Sequence, residues 1–324
     1  MIVIRTLNID NLRQLPNIML NDFFITRDVI GFLQNYVNSN NIHSPAFQKQ
    51  LIGFSAKQHM SYAQWWQLLE DLKDIHPKAA IGIDIGQAIH VEHCGVLGYL
   101  FRTSRNVGEA LNCFKRFQRL IYAGSQAHSE ANGLNEISLV WNPDFGYSSQ
   151  TSDELLLAAM INITREIISP AILEIQSVSF TQAIPKDELG IYESFFLCEV
   201  LHEQQRLSIT FSMQDLLTPI RQEDPTLHTI LGKQAEELLN QLPDNDTFLA
   251  ELRDTIIRCL HEGQASATHV AEHLKLSNRT LHRRLKAKNK IYKDILQDIR
   301  KSMSINYLSD DKLTLTEISM LLGY

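Results

Sequence analysis

No long uninterrupted run of apolar residues occurs in the sequence. Asn8 and Asp10 interrupt the amino-terminal segment before an apolar stretch attains the length of a signal peptide. No later stretch approaches the ~18 consecutive apolar residues that a membrane-spanning helix needs. We therefore expect a cytoplasmic protein with no membrane partner. The length of 324 residues and the 44% apolar content favour about two folded domains.

Cysteine and glycine are too few and too scattered for the common catalytic and metal-binding motifs. The four cysteines lie far apart in the chain and match no close-spaced zinc or redox pattern. No glycine-rich phosphate loop and no H-E-x-x-H helix occurs. His90 and His93 lie beside Cys94, but no second pair of ligands is near them in the sequence. We expect no catalytic residue, no metal and no cofactor, which argues against an enzyme.

Basic residues are fewer than acidic ones, and the two are unevenly distributed. The net charge of −7 is concentrated before Asp246, whereas the remaining segment is net positive. The segment from Lys275 to Lys301 contains 10 lysines and arginines but only 2 aspartates. Such a concentration of positive charge is typical of a nucleic-acid contact, although on charge alone a solvated helical surface looks the same.

Before residue 242 the hydrophobic pattern changes repeatedly between the helical and the strand period. Alternating or β-branched apolar residues predict three short strands, at residues 81–86, 137–141 and 207–211. A helical period predicts an N-capped helix after Asn106 and a long buried helix over residues 155–167. Strands and helices that alternate with irregular connections favour an α+β domain with a mainly antiparallel sheet.

A break in the pattern divides the chain in two. Residues 242–247, Leu-Pro-Asp-Asn-Asp-Thr, combine a proline with capping residues and end a helix that is predicted from Pro225. Every periodic segment after them is helical. We predict an amino-terminal α+β domain over residues 1–241, a linker over 242–247 and an all-α domain over 248–324.

Two short amphipathic helices separated by a tight turn are predicted between residues 267 and 286. Leu281 and Leu285 form an apolar stripe on the second helix, and Ser277 is a good N-cap for it. The small side chain of Ala271 suits two helices that cross steeply. The pattern is that of a helix-turn-helix, although a helical hairpin with a basic face shares it.

The outward face of the second helix presents the residue types that DNA recognition uses. Side chains at i, i+3, i+4 and i+7 share the face opposite Leu281 and Leu285. Arginine bonds a guanine edge bidentately, histidine and threonine make single base contacts, and lysine suits phosphate. The candidates for base contact are Arg279, Thr280, His282 and Arg283. The candidates for phosphate contact are Ser277, Asn278, Lys286 and Lys288.

The segment from about residue 265 onward resembles the DNA-binding domain of the AraC/XylS family of bacterial regulators. The first motif of that family is matched by Ser277, Leu281, Arg283, Leu285 and Lys286. The likeness continues through residues 292–300, which resemble the linker helix of the family with its arginine. Residues 315–324 resemble the first helix and turn glycine of its second helix-turn-helix. We therefore expect two helix-turn-helix motifs joined by a linker helix, the second of them incomplete.

Residues 20–235 resemble, more diffusely, the arabinose-binding-like effector domain of one branch of this family. The likeness lies in residues 96–99, in the helices after Asn106 and over 155–168, and in the strand at 207–211. It implies that the domain binds an unknown small effector or pairs subunits. No ligand-binding residue transfers by motif. Weak candidates are Trp65, Trp66 and Arg102.

These features together predict a transcription factor that binds specific double-stranded DNA and responds to a small effector or to self-association. The expected partners are promoter DNA, the effector, a second copy of the chain and RNA polymerase. The alternative is a protein-interaction or ligand-binding module whose helical tail binds a partner without DNA. A DNA-binding measurement separates the two hypotheses.

Overall fold

The structure of the chain is a computed structural model. It describes residues 24–26, 28–55, 59–122, 126–133, 135–141, 149–168, 170–242, 247–288, 290–308 and 314–323. The packing divides these residues into an amino-terminal unit that ends at Pro243 and a carboxy-terminal unit that begins at Asp244. Most of the predicted linker, residues 243–246, lies outside the described residues.

The amino-terminal unit mixes helices with short strands, as the sequence predicts. Its helices are α1 (Asp28–Ser39), α2 (Pro45–Ser55), α3 (Tyr62–Ile75), α4 (Ile81–Gln87), α5 (Gly95–Thr103), α6 (Val107–Phe117), α7 (Gln150–Ile168), α8 (Leu189–Phe196) and α9 (Pro225–Gln241). Its strands are β1 (Phe24–Thr26), β2 (His59–Ser61), β3 (His128–Asn132), β4 (Glu136–Trp141), β5 (Ser177–Ser179), β6 (Glu199–Leu201) and β7 (Leu207–Ser212).

Five strands form one sheet in the order β3-β4-β7-β5-β6. Every neighbouring pair is antiparallel except β5 and β6, which run parallel. The strands predicted at residues 137–141 and 207–211 are confirmed, and they pair with Leu139 opposite Ile209. Alternation identified them because Ile209 and Phe211 point to the buried face of the sheet. A separate antiparallel pair joins β1 to β2.

The strand predicted at residues 81–86 is wrong, because this segment forms helix α4. Its three isoleucines are all buried although they alternate in sequence, because the helix is covered on more than one side, and seven residues are too few to show a helical period. The two glycines of α4 allow it to approach α7 closely. A Cβ atom on Gly82 would lie 2.3 Å from the backbone oxygen of Thr151, and one on Gly86 would lie 2.5 Å from the Cβ of Ala158. The strand prediction failed because these glycines serve a close contact between two helices.

The carboxy-terminal unit is helical throughout its described residues. Its helices are α10 (Thr247–His261), α11 (Ala267–His273), α12 (Asn278–Ala287), α13 (Tyr292–Leu308) and α14 (Leu315–Leu321). Apolar side chains at helical spacing form its small core. Among the described helices of both units, none combines the length and the apolar composition that a membrane crossing requires.

Candidate nucleic-acid interface and ligand cavity

Two serines fix the starts of the helices α11 and α12. The side chain of Ser266 accepts a hydrogen bond from the backbone N–H of His269, and that of Ser277 accepts one from the N–H of Thr280 at 3.1 Å. Each bond satisfies one of the backbone donors that the first turn of a helix leaves unpaired. The N-cap predicted at Ser277 is therefore confirmed.

The turn between α11 and α12 is tight and the contact between the two helices is closely packed. Lys275 takes a left-handed backbone conformation with φ of 55°. The backbone N–H of Leu276 then donates to the carbonyl of Ala271 at 2.8 Å, which closes the turn. Leu281 and Leu285 are buried, as their spacing predicts, and Ala271 is buried with them. The burial of these side chains fixes which face of α12 points outward.

The outward face of α12 is a row of exposed basic side chains. Arg279, His282, Arg283 and Lys286 are all exposed. In the part of the chain that the structure describes, no carboxylate forms an ion pair with the two arginines or with Lys286. Cations that lack an internal partner remain available to an anionic partner such as a phosphate or to a base edge.

The predicted contact residues at the start of α12 are held by the fold. The hydroxyl oxygens of Ser277 and Thr280 lie 2.8 Å apart, and Thr280 is half-buried. The side-chain amide of Asn278 donates to the hydroxyl of Thr268 on α11 at 3.2 Å. Asn278 therefore joins α11 to α12, and the Ser277–Thr280 contact holds the first turn of α12. Lys288 is exposed at the end of the helix.

Two arginines have roles that the sequence analysis did not assign. The guanidinium of Arg284 lies 5.2 Å from the centroid of the buried Phe248 ring, at a distance typical of a cation–π contact. Arg300, on α13, donates from Nε to the carbonyl of Leu322 at 2.9 Å and from Nη2 to that of Gly323 at 2.8 Å. Arg300 thereby binds the carbonyl end of α14 to α13, where a positive charge also matches the helix dipole.

The amino-terminal unit encloses a cavity of about 510 Å³. Aromatic rings of Phe32, Trp65, Phe101 and Phe114 form much of its wall, together with aliphatic side chains of α7. Within the described residues, no lysine, arginine, aspartate or glutamate lines it. A volume in this range and an apolar wall with few polar groups are typical of small-molecule sites.

A few polar atoms lie in the cavity wall. Thr26, His93 and Ser152 contribute them from three separate elements, and Gln241 adds an amide at the end of α9. The buried hydroxyl of Thr26 has no hydrogen-bond partner among the described residues. Burial of this hydroxyl without a partner is energetically costly.

The sequence from residue 51 to residue 220 matches the family model of the arabinose-binding domain at the N-terminus of AraC transcription regulators. The chain belongs to the AraC family of transcription regulators. The matched residues cover just over half of the chain and fall inside the 20–235 segment whose likeness the sequence analysis described. They include α7 and most of the other residues that line the cavity.

Two relatives and one solved structure are similar to this chain. The ornithine utilization regulator of Pseudomonas aeruginosa is 24% identical over 267 residues, which cover 82% of this chain and 78% of that protein. The HTH-type transcriptional regulator VqsM of the same organism is 22% identical over 250 residues, which cover 75% and 76%. The crystal structure of the transcriptional regulator CdpR from P. aeruginosa aligns over 92% of this chain and 90% of its own, with 18% identity and a TM-score of 0.47.

The structure separates the three effector candidates of this AraC family member. Trp65 lines the cavity, and its indole N–H donates to the hydroxyl of Ser152 at 3.4 Å. Trp66 is buried beside the ring of Tyr62 and is not part of the cavity wall. Arg102 forms an ion pair with Glu166 at 2.8 Å, outside the cavity. Sequence alone could not separate the two tryptophans, because both are buried.

A buried carboxyl supports the helix that forms one wall of the cavity. Glu154, on α7, accepts hydrogen bonds from the phenol of Tyr192 and from the backbone N–H of Gly82. Burial raises the pKa of Glu154 to about 7, and these two hydrogen bonds lower it only in part. Glu154 therefore takes up a proton near neutral pH, at the contact between α4 and α7.

Proposed function

We propose that the chain regulates transcription by reading a specific DNA sequence with the α11–α12 pair, as a helix-turn-helix. The observation that supports this proposal is the exposed row of Arg279, His282, Arg283 and Lys286 on a helix that two buried leucines hold in place. An α-helix fits the major groove, where bidentate arginine contacts to guanine are the commonest specific contacts.

Within this proposal the residues of α12 and of its two ends divide into three groups. Arg279, His282 and Arg283 contact base edges, and Lys286 and Lys288 contact phosphates. Ser277, Asn278 and Thr280 fix the helix start, whose free backbone N–H groups also face a phosphate. The 17-residue helix α13 is about 26 Å long and connects this pair to α14, the first helix of a second reading head in our proposal.

The experiment measures binding of the full chain to the DNA upstream of its own gene by fluorescence anisotropy. We expect Arg283→Ala to weaken specific binding by ~1–3 kcal/mol and to leave binding to unrelated DNA nearly unchanged. Lys186→Ala, which removes an exposed charge from the amino-terminal unit, is the matched control. Equal specific affinity of wild type and Arg283→Ala would contradict base reading, and absence of any DNA binding would favour a protein-interaction module.

We further propose that the cavity binds a small, uncharged and mainly apolar effector. Its apolar wall repels a charged ligand because no protein charge would compensate the loss of hydration. Leu238 and Gln241 place the end of α9 in the wall, directly before the predicted linker, so occupancy would act on the segment that leads to the second unit. Self-association and contact with RNA polymerase stay predictions.

Thermal unfolding of the full chain with 1-decanol and with arabinose tests the effector class. We expect decanol to raise the unfolding temperature and arabinose to leave it unchanged, because a ligand that binds only the folded state stabilises it. Leu238→Trp should abolish the shift by filling the cavity, whereas Leu239→Trp, one position further along α9 and outside its wall, should retain it. A shift with arabinose alone would contradict an apolar effector.

A further inference from the structure

Four side chains that can ligate a metal converge where α10 ends and α11 begins to pack against it. Cys259 lies in the last turn of α10, Glu262 follows that helix, and His269 and His273 lie on α11. One ligand atom from each of the four lies within 4.8 Å of the others. The four residues, here named the Cys-Glu-His-His cluster, belong entirely to the carboxy-terminal unit.

The local fold explains why these side chains meet. His269 and His273 are four residues apart on one helix, so they lie one turn apart on the same face. Gly263 ends α10 in a left-handed conformation with φ of 73°, and the backbone N–H of Gln264 donates to the carbonyl of Cys259 at 2.8 Å. The chain therefore reverses immediately after Glu262 and brings α11 back over the end of α10.

The distances suit a tetrahedral ion. The Nε2 atoms of His269 and His273 are 3.2 Å apart. Two nitrogens bound to one zinc ion at ~2.0–2.1 Å in tetrahedral geometry are about 3.3 Å apart. The Oε2 atom of Glu262 lies 3.8 Å and 3.9 Å from these two nitrogens, and its side chain is exposed, so a small rotation closes the gap. The histidine pair already has the spacing of two ligands.

The surroundings also favour a closed metal site. Cys259 is fully buried, so the ion would be shielded from solvent on that side. The carboxylate of Glu272 lies 3.9 Å from Nδ1 of His269, the ring nitrogen that does not face His273. Histidines that bind metals commonly donate their second ring N–H to such a carboxylate, which leaves the other nitrogen free for the ion.

We propose that Cys259, Glu262, His269 and His273 bind one Zn²⁺ ion. Thiolate and carboxylate together neutralise its two positive charges, and the thiol proton leaves to solvent when the sulfur coordinates. Four protein ligands without an open position make a structural site, not a catalytic one. The ion connects α10 to α11 and fixes the position of the first helix of the pair. This proposal is independent of the proposed DNA contacts, because metal binding is measured without DNA.

Titration of the metal-free full chain with Co²⁺, followed by visible and near-ultraviolet absorption, tests the site. We expect one equivalent to produce the intense visible bands of tetrahedral Co²⁺ together with a thiolate-to-metal charge-transfer band, and Zn²⁺ to displace both. His273→Ala, an exposed position that should fold normally, should weaken Co²⁺ binding about 100-fold or more. Cys259→Ser should remove the charge-transfer band.

The chain offers a matched control in its other histidine pair. His90 and His93 lie beside Cys94, and His90 contacts Glu166 at 3.2 Å. The double variant His90→Ala/His93→Ala should bind Co²⁺ as wild type does. Loss of the spectrum in this double variant, with retention in His273→Ala, would overturn the proposal, and so would a pale octahedral spectrum without the thiolate band in the wild type.

Discussion

The two units of the chain differ in where their chemically informative groups lie. In the amino-terminal unit these groups are buried, as the cavity, the Glu154 carboxyl and the glycine contact between α4 and α7 illustrate. In the carboxy-terminal unit the basic row on α12 is exposed, although the Cys-Glu-His-His cluster includes the buried Cys259. We therefore expect substitutions at these sites of the first unit to change stability and ligand binding. Substitutions on the surface of the second should change DNA binding and leave the fold intact.

The largest effect is expected at the contact between α4 and α7. Gly86→Ala should destabilise the amino-terminal unit by ~2–3 kcal/mol, because the new Cβ would lie 2.5 Å from the Cβ of Ala158 and 2.8 Å from the carbonyl of Leu155. Urea unfolding followed by circular dichroism measures the loss. Gly53→Ala in α2 is the control, since nothing lies within 4 Å of its added methyl and alanine favours a helix. Equal stability of the two variants would show that α4 does not pack as described.

A pH-dependent effect is expected from Glu154. Its pKa is raised from 4.5 to about 7 in the folded state. Between these two pH values, the folded chain therefore keeps a proton on Glu154 that the unfolded chain has released. Its contribution to stability is therefore fully present below pH 4.5 and is lost as the pH rises toward 7, by about 1 kcal/mol per pH unit. Urea unfolding at pH 5, 6, 7 and 8 measures the slope. Glu154→Gln should flatten it, whereas Glu174→Gln on the surface should not; an unchanged slope in Glu154→Gln would assign the dependence elsewhere.

A smaller effect is expected from the two half-buried hydrogen bonds that Arg300 makes in the second unit. Arg300→Ala should destabilise the packing of α14 by ~1–2 kcal/mol, because it removes two charge-assisted hydrogen bonds to the end of that helix. Hydrogen exchange of the α14 amides, followed by mass spectrometry, measures the change. The neighbouring exposed Lys301→Ala should leave exchange unchanged. Unaltered protection in Arg300→Ala would contradict the role of this arginine.

The smallest effect on stability is expected at the surface of α12. Lys286→Ala should leave the free energy of unfolding within about 0.5 kcal/mol of wild type. Its binding to any DNA should weaken, and the slope of log affinity against log salt should fall by about 0.9, as for one lost phosphate contact. Affinity measured between low and moderate salt gives the slope. An unchanged slope would contradict a phosphate contact at Lys286, and a large loss of stability would contradict the expectation that surface substitutions in the second unit leave the fold intact.

Local patterns in the sequence predicted α12 in detail. The apolar spacing of Leu281 and Leu285 and the cap at Ser277 specify α12 and its outward face, because a helix is determined by residues within a few positions of one another. Alternation likewise predicted β4 and β7, although residues 138–141 of β4 are buried on both faces of the strand. The motifs in α12 and α13 also indicated the family.

Features that join distant parts of the chain could not be predicted from local patterns in the sequence. Residues 81–86 have the alternation of a strand, yet they form a helix because their glycines fit against α7, far along the sequence. Trp65 lines the cavity and Trp66 does not, because different neighbours surround the two rings. The scattered cysteines indicated no metal site, and no local pattern pointed to the Cys-Glu-His-His cluster, in which Cys259 and Glu262 at the end of α10 meet two histidines of α11. Helical periods, caps and charge can be read from the sequence, because they depend on near neighbours in the chain. Burial, and the convergence of distant side chains into one site, depend on packing across the whole unit.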